Sequence, residues 1–268
     1  MITSAQNPLI KQIRLLQRNR RAREEAGLFL VEGIQGVVEA VQRQAPLETL
    51  VYAPERLSSI IASEAIASAQ ARGVRCEAIS AALFESLSSR ENPVGILALV
   101  ARRLHALESL HVAPSSLYVA LSEVADPGNL GTVLRTMDAV GAAALLLVGQ
   151  TVDPFHPTTV KASMGTIFTV PMVPVASLAA LSAWCQRASI ALIGTSDRAE
   201  APYWSLTYTL PLLLLMGSEA HGLPGEWLSR LPQVARIPMQ GSADSLNLGI
   251  ATALLLYEVR RQQWGEGK

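Results

Sequence analysis

The second half of the chain carries strand-length runs that are apolar almost without interruption: "SSLYVALSEV", "AAALLLVG", "SIALIGTS" and "LPLLLLMGSE". A strand with one wet face alternates apolar and polar residues; these do not alternate, so both faces are buried. Continuous burial of that kind belongs to a parallel sheet covered by helices on both sides. Helical patterns fall between the runs, over 128–140 and 177–187, and "GTIFTVPMV" reads as a further strand. "PGEWLSRL" reads as a short helix, "VARIPM" as a last strand, and "DSLNLGIATALLLYE" as a final helix headed by polar Ser245 and Asn247.

The first half alternates strand and helix as well, which favours an α/β layer domain. Strands are expected at "GLFLVEG", "LETLVYA", "GVRCEAIS" and "VGILALV", with helices over 33–43, 55–72 and 81–88. Residues 8–23 read as one basic helix. Pro8 suits its first turn, Leu9, Ile13 and Leu16 recur at helical spacing, and Lys11, Arg14, Arg18, Arg20, Arg21 and Arg23 supply the charge. Such a helix is either a solvated face or an arm that contacts phosphates, and charge alone does not separate the two. "ARRLHALESLHVAPSS" has mixed charge and no sustained apolar run, so the expected domains are 1–101 and 115–268 with a linker over 102–114.

Composition narrows the function classes. The chain has 268 residues, half of them hydrophobic and 16% charged, with 22 basic and 22 acidic side chains. That is enough for one large or two modest domains, and a formal net charge of zero gives no compositional support for a nucleic-acid or membrane partner. Cys76 and Cys185 lie far apart with no CxxC, and the histidines show no ligand spacing, so no metal site is expected. The N-terminus has no apolar core of a secretory signal, and the longest apolar stretches are far shorter than the ~20 residues that span a bilayer. The expectation is a soluble, cytoplasmic protein.

In parallel α/β sheets ligands bind beyond the carboxyl ends of the strands. Four polar or glycine-rich segments directly follow apolar strands: "ADPGNLGTVLRT", "DRAEAPY", "AHGLPG" and "QGSADSLN". Four such loops on one sheet edge suggest a shared site. GxGxxG, GxxxxGK[ST] and GxSxG are all absent, so dinucleotide, P-loop and hydrolase-elbow chemistry lose their main support. In the first loop Asn129 is a candidate helix cap, with Arg135 six residues on; after the third strand Gly217 leaves room for a close backbone approach, and Glu219 follows.

"NLGTVLRT", "LLLLMGSEAHGLP" and "IPMQGSADSLNLGIATALLLYE" resemble, in order and spacing, the three motifs of the SpoU family of RNA 2′-O-ribose methyltransferases in the SPOUT superfamily. "NPLIKQIRLLQRNRRAREEAGLFLVEG", "ENPVGILALV" and "KASMGTIFTVPMV" are similar to other parts of family members, so the resemblance covers nearly the whole chain. It implies an N-terminal domain like small ribosomal RNA-binding proteins, followed by a SPOUT catalytic domain with a parallel sheet and a deep trefoil knot. It implies S-adenosyl-L-methionine as cofactor, RNA as substrate and a homodimer whose site draws on both subunits. Gly217, Ile237 and Leu246 would contact the cofactor, with Thr195, Leu223 and Met239 close by. Arg135, Asn129, Glu219, Ser245 and Asn247 would form the catalytic set, and the basic residues of 8–23 would contact RNA phosphates.

The resemblance implies attack of a ribose hydroxyl on the sulfonium methyl. Arg135 would act as a fixed cation rather than as a base, because a guanidinium is effectively never deprotonated. The chain departs from many relatives at Ser218 and Ala220, where they carry Asn and Gly, and at Gly249, where they carry Ser. Ribosomal RNA is favoured as substrate over transfer RNA. A non-catalytic RNA-binding relative and a nucleotide-binding oxidoreductase are the competing readings, the second resting on the α/β pattern alone.

Overall fold

The computed structural model describes residues 1–88 and 90–265, so the last three residues of the expected second domain lie outside it. The chain forms two compact units. The first contains Met1–Arg103 and Phe155–Phe168; the second contains Leu104–Pro154 and Thr169–Lys268.

In the first unit α1 (Pro8–Arg18) starts at Asn7, whose side chain accepts from Leu9 N–H. The expected single basic helix is interrupted at Asn19, which is extended (φ −122°, ψ 114°) and caps α2 (Arg20–Ala26) through Ala22 N–H. β1 (Leu28–Glu32), α3 (Ile34–Gln42), β2 (Leu47–Tyr52), α4 (Ile60–Ala71), β3 (Arg75–Ala78), α5 (Ala81–Leu87) and β4 (Ile96–Ala101) follow. The sheet order is β1-β4-β2-β3; β4 is antiparallel to both β1 and β2, and only β2 and β3 are parallel. One face packs Leu28, Leu30, Val51, Leu97 and Leu99 against Ile10, Ile13, Leu16 and Phe84. Strand alternation sends Phe29 to the opposite face, where its ring lies 4.8 Å from that of Phe155.

The second unit opens with β5 (Leu117–Ser122), α6 (Pro127–Ala139) and β6 (Ala144–Val148). The short helix α7 (Pro157–Ala162) belongs to the first unit's segment 155–168, which the expected boundaries had assigned wholly to the second domain. The second unit resumes with β7 (Met172–Val175), α8 (Leu178–Arg187), β8 (Ala191–Thr195), β9 (Leu212–Met216), α9 (Gly225–Leu228), β10 (Gln233–Ala235) and α10 (Leu248–Gly265). The strand expected at "GTIFTVPMV" starts later than its composition suggests. Gly165 takes a left-handed φ of +95°, Thr166–Phe168 form a single 3-10 turn, and Phe168 joins the Phe29 ring cluster. Tertiary packing outweighs β propensity there.

All six strands of this sheet are parallel, in the order β10-β8-β9-β5-β6-β7. Tyr118, Ala120, Leu146, Leu213 and Leu215 pack on Trp184 and Cys185 of α8. The alternate residues Leu117, Val119, Leu121, Leu145, Leu212 and Leu214 are equally buried. That double burial is what the unbroken apolar runs require.

α6 and α10 run side by side in the same direction and are tied at both ends. At their starts Asn247 Nδ2 donates to Asn129 Oδ1 at 2.7 Å. At the far end Arg260 donates from Nε to Val140 O (2.7 Å) and from Nη2 to Gly141 O (2.9 Å), satisfying carbonyls at the α6 C-terminus. The tail of α10 also holds the chain after β8: Gln262 Nε2 donates to Leu206 O and its Oε1 accepts from Tyr208 N–H. Glu258 accepts from Arg261 and Gln262, and the Arg261 hydrogen bonds hold its carboxyl below the usual carboxylate range against the opposing effect of burial. Among the described residues no helix is long and apolar enough to cross a membrane.

Candidate active site

The four post-strand loops picked out from the sequence follow β5, β8, β9 and β10. These are four consecutive strands of one parallel sheet, so their carboxyl ends share an edge. β5 lies between β6 and β9: the chain builds outward from β5 through β6 and β7, then crosses to the other side with β8 and β9. The crevice between β5 and β9 is therefore the topological switch point, where open α/β sheets bind ligands.

Glu219 reaches across that crevice. Its Oε2 accepts from Ala125 N–H (3.2 Å), and its Oε1 accepts from Asp126 N–H (3.3 Å) and from Asn129 Nδ2 (3.1 Å). With its Nδ2 spent on Glu219, Asn129 presents its Oδ1 to Asn247. Asn247 in turn uses its Oδ1 to accept from Gly249 N–H (2.9 Å) and Ile250 N–H (3.3 Å), the N-cap geometry of α10. Glu219, Asn129 and Asn247 thus form one line of hydrogen bonds joining the loops after β5 and β9 to the head of α10. Ser245, the other polar residue at that head, is exposed and does not cap the helix. Arg135 is exposed on α6, about 9 Å along the axis from Asn129 at 1.5 Å per residue, and has no bonded partner among the described residues.

Two positions differ from expectation in cause. Asn129 is not the cap of α6: Asp126 is, with its Oδ1 accepting from Asn129 N–H at 2.7 Å and Pro127 in the first turn. Asp-Pro at a helix start carries the signal that identifies it. At Gly217 the close backbone approach comes from the chain itself, on its Cβ side. A Cβ there would lie 2.3 Å from Gly222 C and 2.4 Å from Leu223 N. The cause is a tight return in which Ser218 and Gly222 exchange backbone hydrogen bonds and Ser218 Oγ accepts from His221 N–H. That return projects Glu219 toward β5.

The residues expected near a cofactor follow the ends of β8, β9 and β10. Thr195 ends β8 and donates from Oγ1 to Leu215 O (3.2 Å). Leu223 is buried, Ile237 and Leu246 are half-buried, and Met239 is exposed. Among the described residues, Ile237 to Leu246 make no hydrogen bond, so their backbone N–H and C=O groups are unspent. Thr132 and Arg260 had no place in the sequence-based set; their parts in joining α6 to α10 need the packed structure to be seen.

The family model described as SpoU rRNA Methylase family matches residues 116–257, which include Asn129, Glu219 and Asn247. The chain belongs to this family. A second model, the MRM3-like substrate binding domain, matches residues 7–98 of this SpoU chain. The chain is 34% identical to the 23S rRNA (uridine(2479)-2'-O)-methyltransferase of Streptomyces viridochromogenes, over 97% of its own length and 92% of that protein's. It is 29% identical to the 23S rRNA (guanosine(2553)-2'-O)-methyltransferase RlmP of Bacillus subtilis, over 97% and 98% of the two chains. Among solved structures it resembles the AdoMet-bound rRNA methyltransferase from Sinorhizobium meliloti, with a TM-score of 0.88, 37% identity and 97% of each chain covered.

The candidate arm is less uniform than its charge suggests. Arg23 is the correction: it is 2% exposed and donates to Leu16 O (2.6 Å), closing the corner between α1 and α2 instead of facing solvent. Arg20 and Arg21 pair with Glu24 and Glu25 one turn on. Arg14 donates to Ser86 Oγ, while Lys11 and Arg18 are exposed.

Gly217→Ala tests the return. Forcing a Cβ into Gly222 is expected to cost about 1–3 kcal/mol, or roughly 2–4 °C of thermal midpoint per kcal/mol in a domain of this size. All the tryptophans lie in the second unit, so tryptophan fluorescence reads the change. Gly225→Ala, where a Cβ would meet open space, is the control.

Proposed function

We propose that the chain transfers a methyl group from S-adenosylmethionine to a ribose 2′-oxygen of ribosomal RNA, in the cytoplasm. The observation that carries this is the Glu219–Asn129–Asn247 line at the switch point of a SpoU-family sheet. The relatives named for 23S rRNA methylation favour ribosomal over transfer RNA.

The residues present fit the cofactor. The unspent backbone groups of Ile237 to Leu246 can bind a polar adenine and amino-acid moiety, while Ile237, Leu246 and Leu223 offer apolar contact. Thr195, Gly217 and Met239 border the same ends of β8, β9 and β10. S-adenosylmethionine, when bound, supplies an electrophilic methyl on sulfur. The chain must hold a ribose hydroxyl in line with that methyl. The hydroxyl would release its proton to solvent water, and its oxygen would carry partial negative charge until it is methylated. Arg135 is the permanent cation for that charge or for the adjacent phosphate. Asn129 and Glu219 orient the nucleotide, and Ser245 and Asn247 face the ribose and the methionyl part. The knotted path belongs to the same proposal; what supports it is the pairing of Ala201 and Tyr203 with Arg236 just before the chain turns back toward α10.

We also assign this chain a homodimer. In support, Ile250, Leu254, Tyr257 and Trp264 recur along one face of α10 and are between 37% and 57% exposed. Sedimentation equilibrium should give twice the chain mass, and Tyr257→Glu should shift it to the monomer; a monomeric wild type would remove the assignment.

Arg135→Ala is expected to keep the fold and S-adenosylmethionine affinity while lowering methyl transfer by about 10²-fold or more. Tritium transfer into 23S ribosomal RNA and calorimetry with S-adenosylmethionine measure the two, and wild-type turnover in the variant would refute the role. For the arm, Lys11, Arg14 and Arg18 changed together to Ala should flatten the salt dependence of RNA binding by about 0.7–0.9 log units per lost phosphate contact. The paired Arg20 and Arg21 should contribute less, and an unchanged salt slope would clear the arm of RNA contact.

A further inference from the structure

α6 and α10 approach each other closely just behind Asn247. Gly249 is buried there, and a Cβ added to it would lie 3.0 Å from Thr132 Cγ2, 3.2 Å from Thr132 Cβ and 3.2 Å from Asn247 Oδ1. Thr132 does not turn away freely, because its Oγ1 donates to Gly128 O at 2.9 Å within α6. A side chain at 249 would therefore press in two directions at once. It would push on α6 through Thr132, and on the oxygen with which Asn247 caps α10. The same Asn247 holds Asn129, which holds Glu219.

We infer that Thr132 and Gly249 form a size-matched pair that sets the separation of α6 and α10 and so positions the amide of Asn247 on Asn129. The inference rests on the methyl-transfer reading for its kinetic consequence. Thr132 is a positioning residue in this reading: it acts through Gly249 and Asn247, by holding the space that Gly249 leaves. The arrangement also accounts for glycine in the first turn of a helix, where it is otherwise unfavourable relative to Ala. Thr132 occupies the room a larger residue would need.

Four proteins test the pair: wild type, Gly249→Ala, Thr132→Ser and the double variant. Thr132→Ser removes Cγ2 and keeps the hydroxyl that bonds Gly128. A misplacement of 1 Å can cost 10²-fold in rate, so the few tenths of an ångström that Gly249→Ala imposes should lower kcat about fivefold, with KM for 23S ribosomal RNA little changed. The double variant should recover at least about half of that loss on a logarithmic scale. A purely structural role would not split kcat from KM. Gly249→Ala with wild-type kcat, or a double variant no faster than Gly249→Ala, overturns the inference. If wild type itself transfers no methyl group, the methyl-transfer reading has failed instead. Thermal midpoints of the same four proteins then decide the pair: Thr132→Ser should help more in the Gly249→Ala background than in wild type, and additive midpoints overturn it.

Discussion

The catalytic end of this chain depends on how α10 is fastened along α6. One fastening is polar and sits at the site, where Asn247 meets Asn129; the other is a guanidinium capping Val140 and Gly141. Two ties roughly 20 Å apart, at 1.5 Å rise per residue, fix both the slide and the tilt of one helix on the other. The amide pair is worth about 0.5–1.5 kcal/mol net, and each hydrogen bond from the charged guanidinium about 1.5–3 kcal/mol. Their importance is geometric. The head of α10 is also the wall of the crevice between β5 and β9, so a shift in the helix pair is a shift in the site.

Three loops distant in sequence meet in that crevice, and each is prepared by its own local chemistry. Asp126 and Pro127 start α6 so that the N–H groups of Ala125 and Asp126 point outward. The closed return from Ser218 to Gly222 turns Glu219 back to receive them. Asn247 ends the open stretch after β10 by capping its own helix with one atom and reaching Asn129 with another. Burial of the sheet on both faces makes the framework rigid enough for these exposed contacts to recur in one arrangement.

Much of this was legible in the residues. Unbroken runs such as "LPLLLLMGSE" disclose a doubly covered parallel sheet, and loops following such strands disclose where a ligand would sit. Strand order was not legible, because the adjacency of β9 to β5 is a long-range pairing with no local signature. The mixed directions of the first unit's sheet escaped for the same reason. Arg23 looks like a sixth arm charge until its burial against Leu16 O is seen. Gly217 reads as a position that needs no side chain, but that its Cβ side is taken by Gly222 is seen only in the fold. The "GTIFT" segment has strand composition, yet the rings of Phe155 and Phe168 draw it into the Phe29 cluster. In each case a contact far along the chain overrode a sound local preference.

The placement of 155–168 with the first unit has a consequence in time. Arg103 is followed by about fifty residues of the second unit before Phe155 is made. At synthesis rates of about 5–20 residues per second, the nascent first unit waits roughly 3–10 s for the segment that covers Phe29. Over that interval Phe29 of β1 lacks the cover that Phe155 and Phe168 later give it. The first unit is therefore completed only after part of the second has been made, an order that two domains joined by a single linker would not impose.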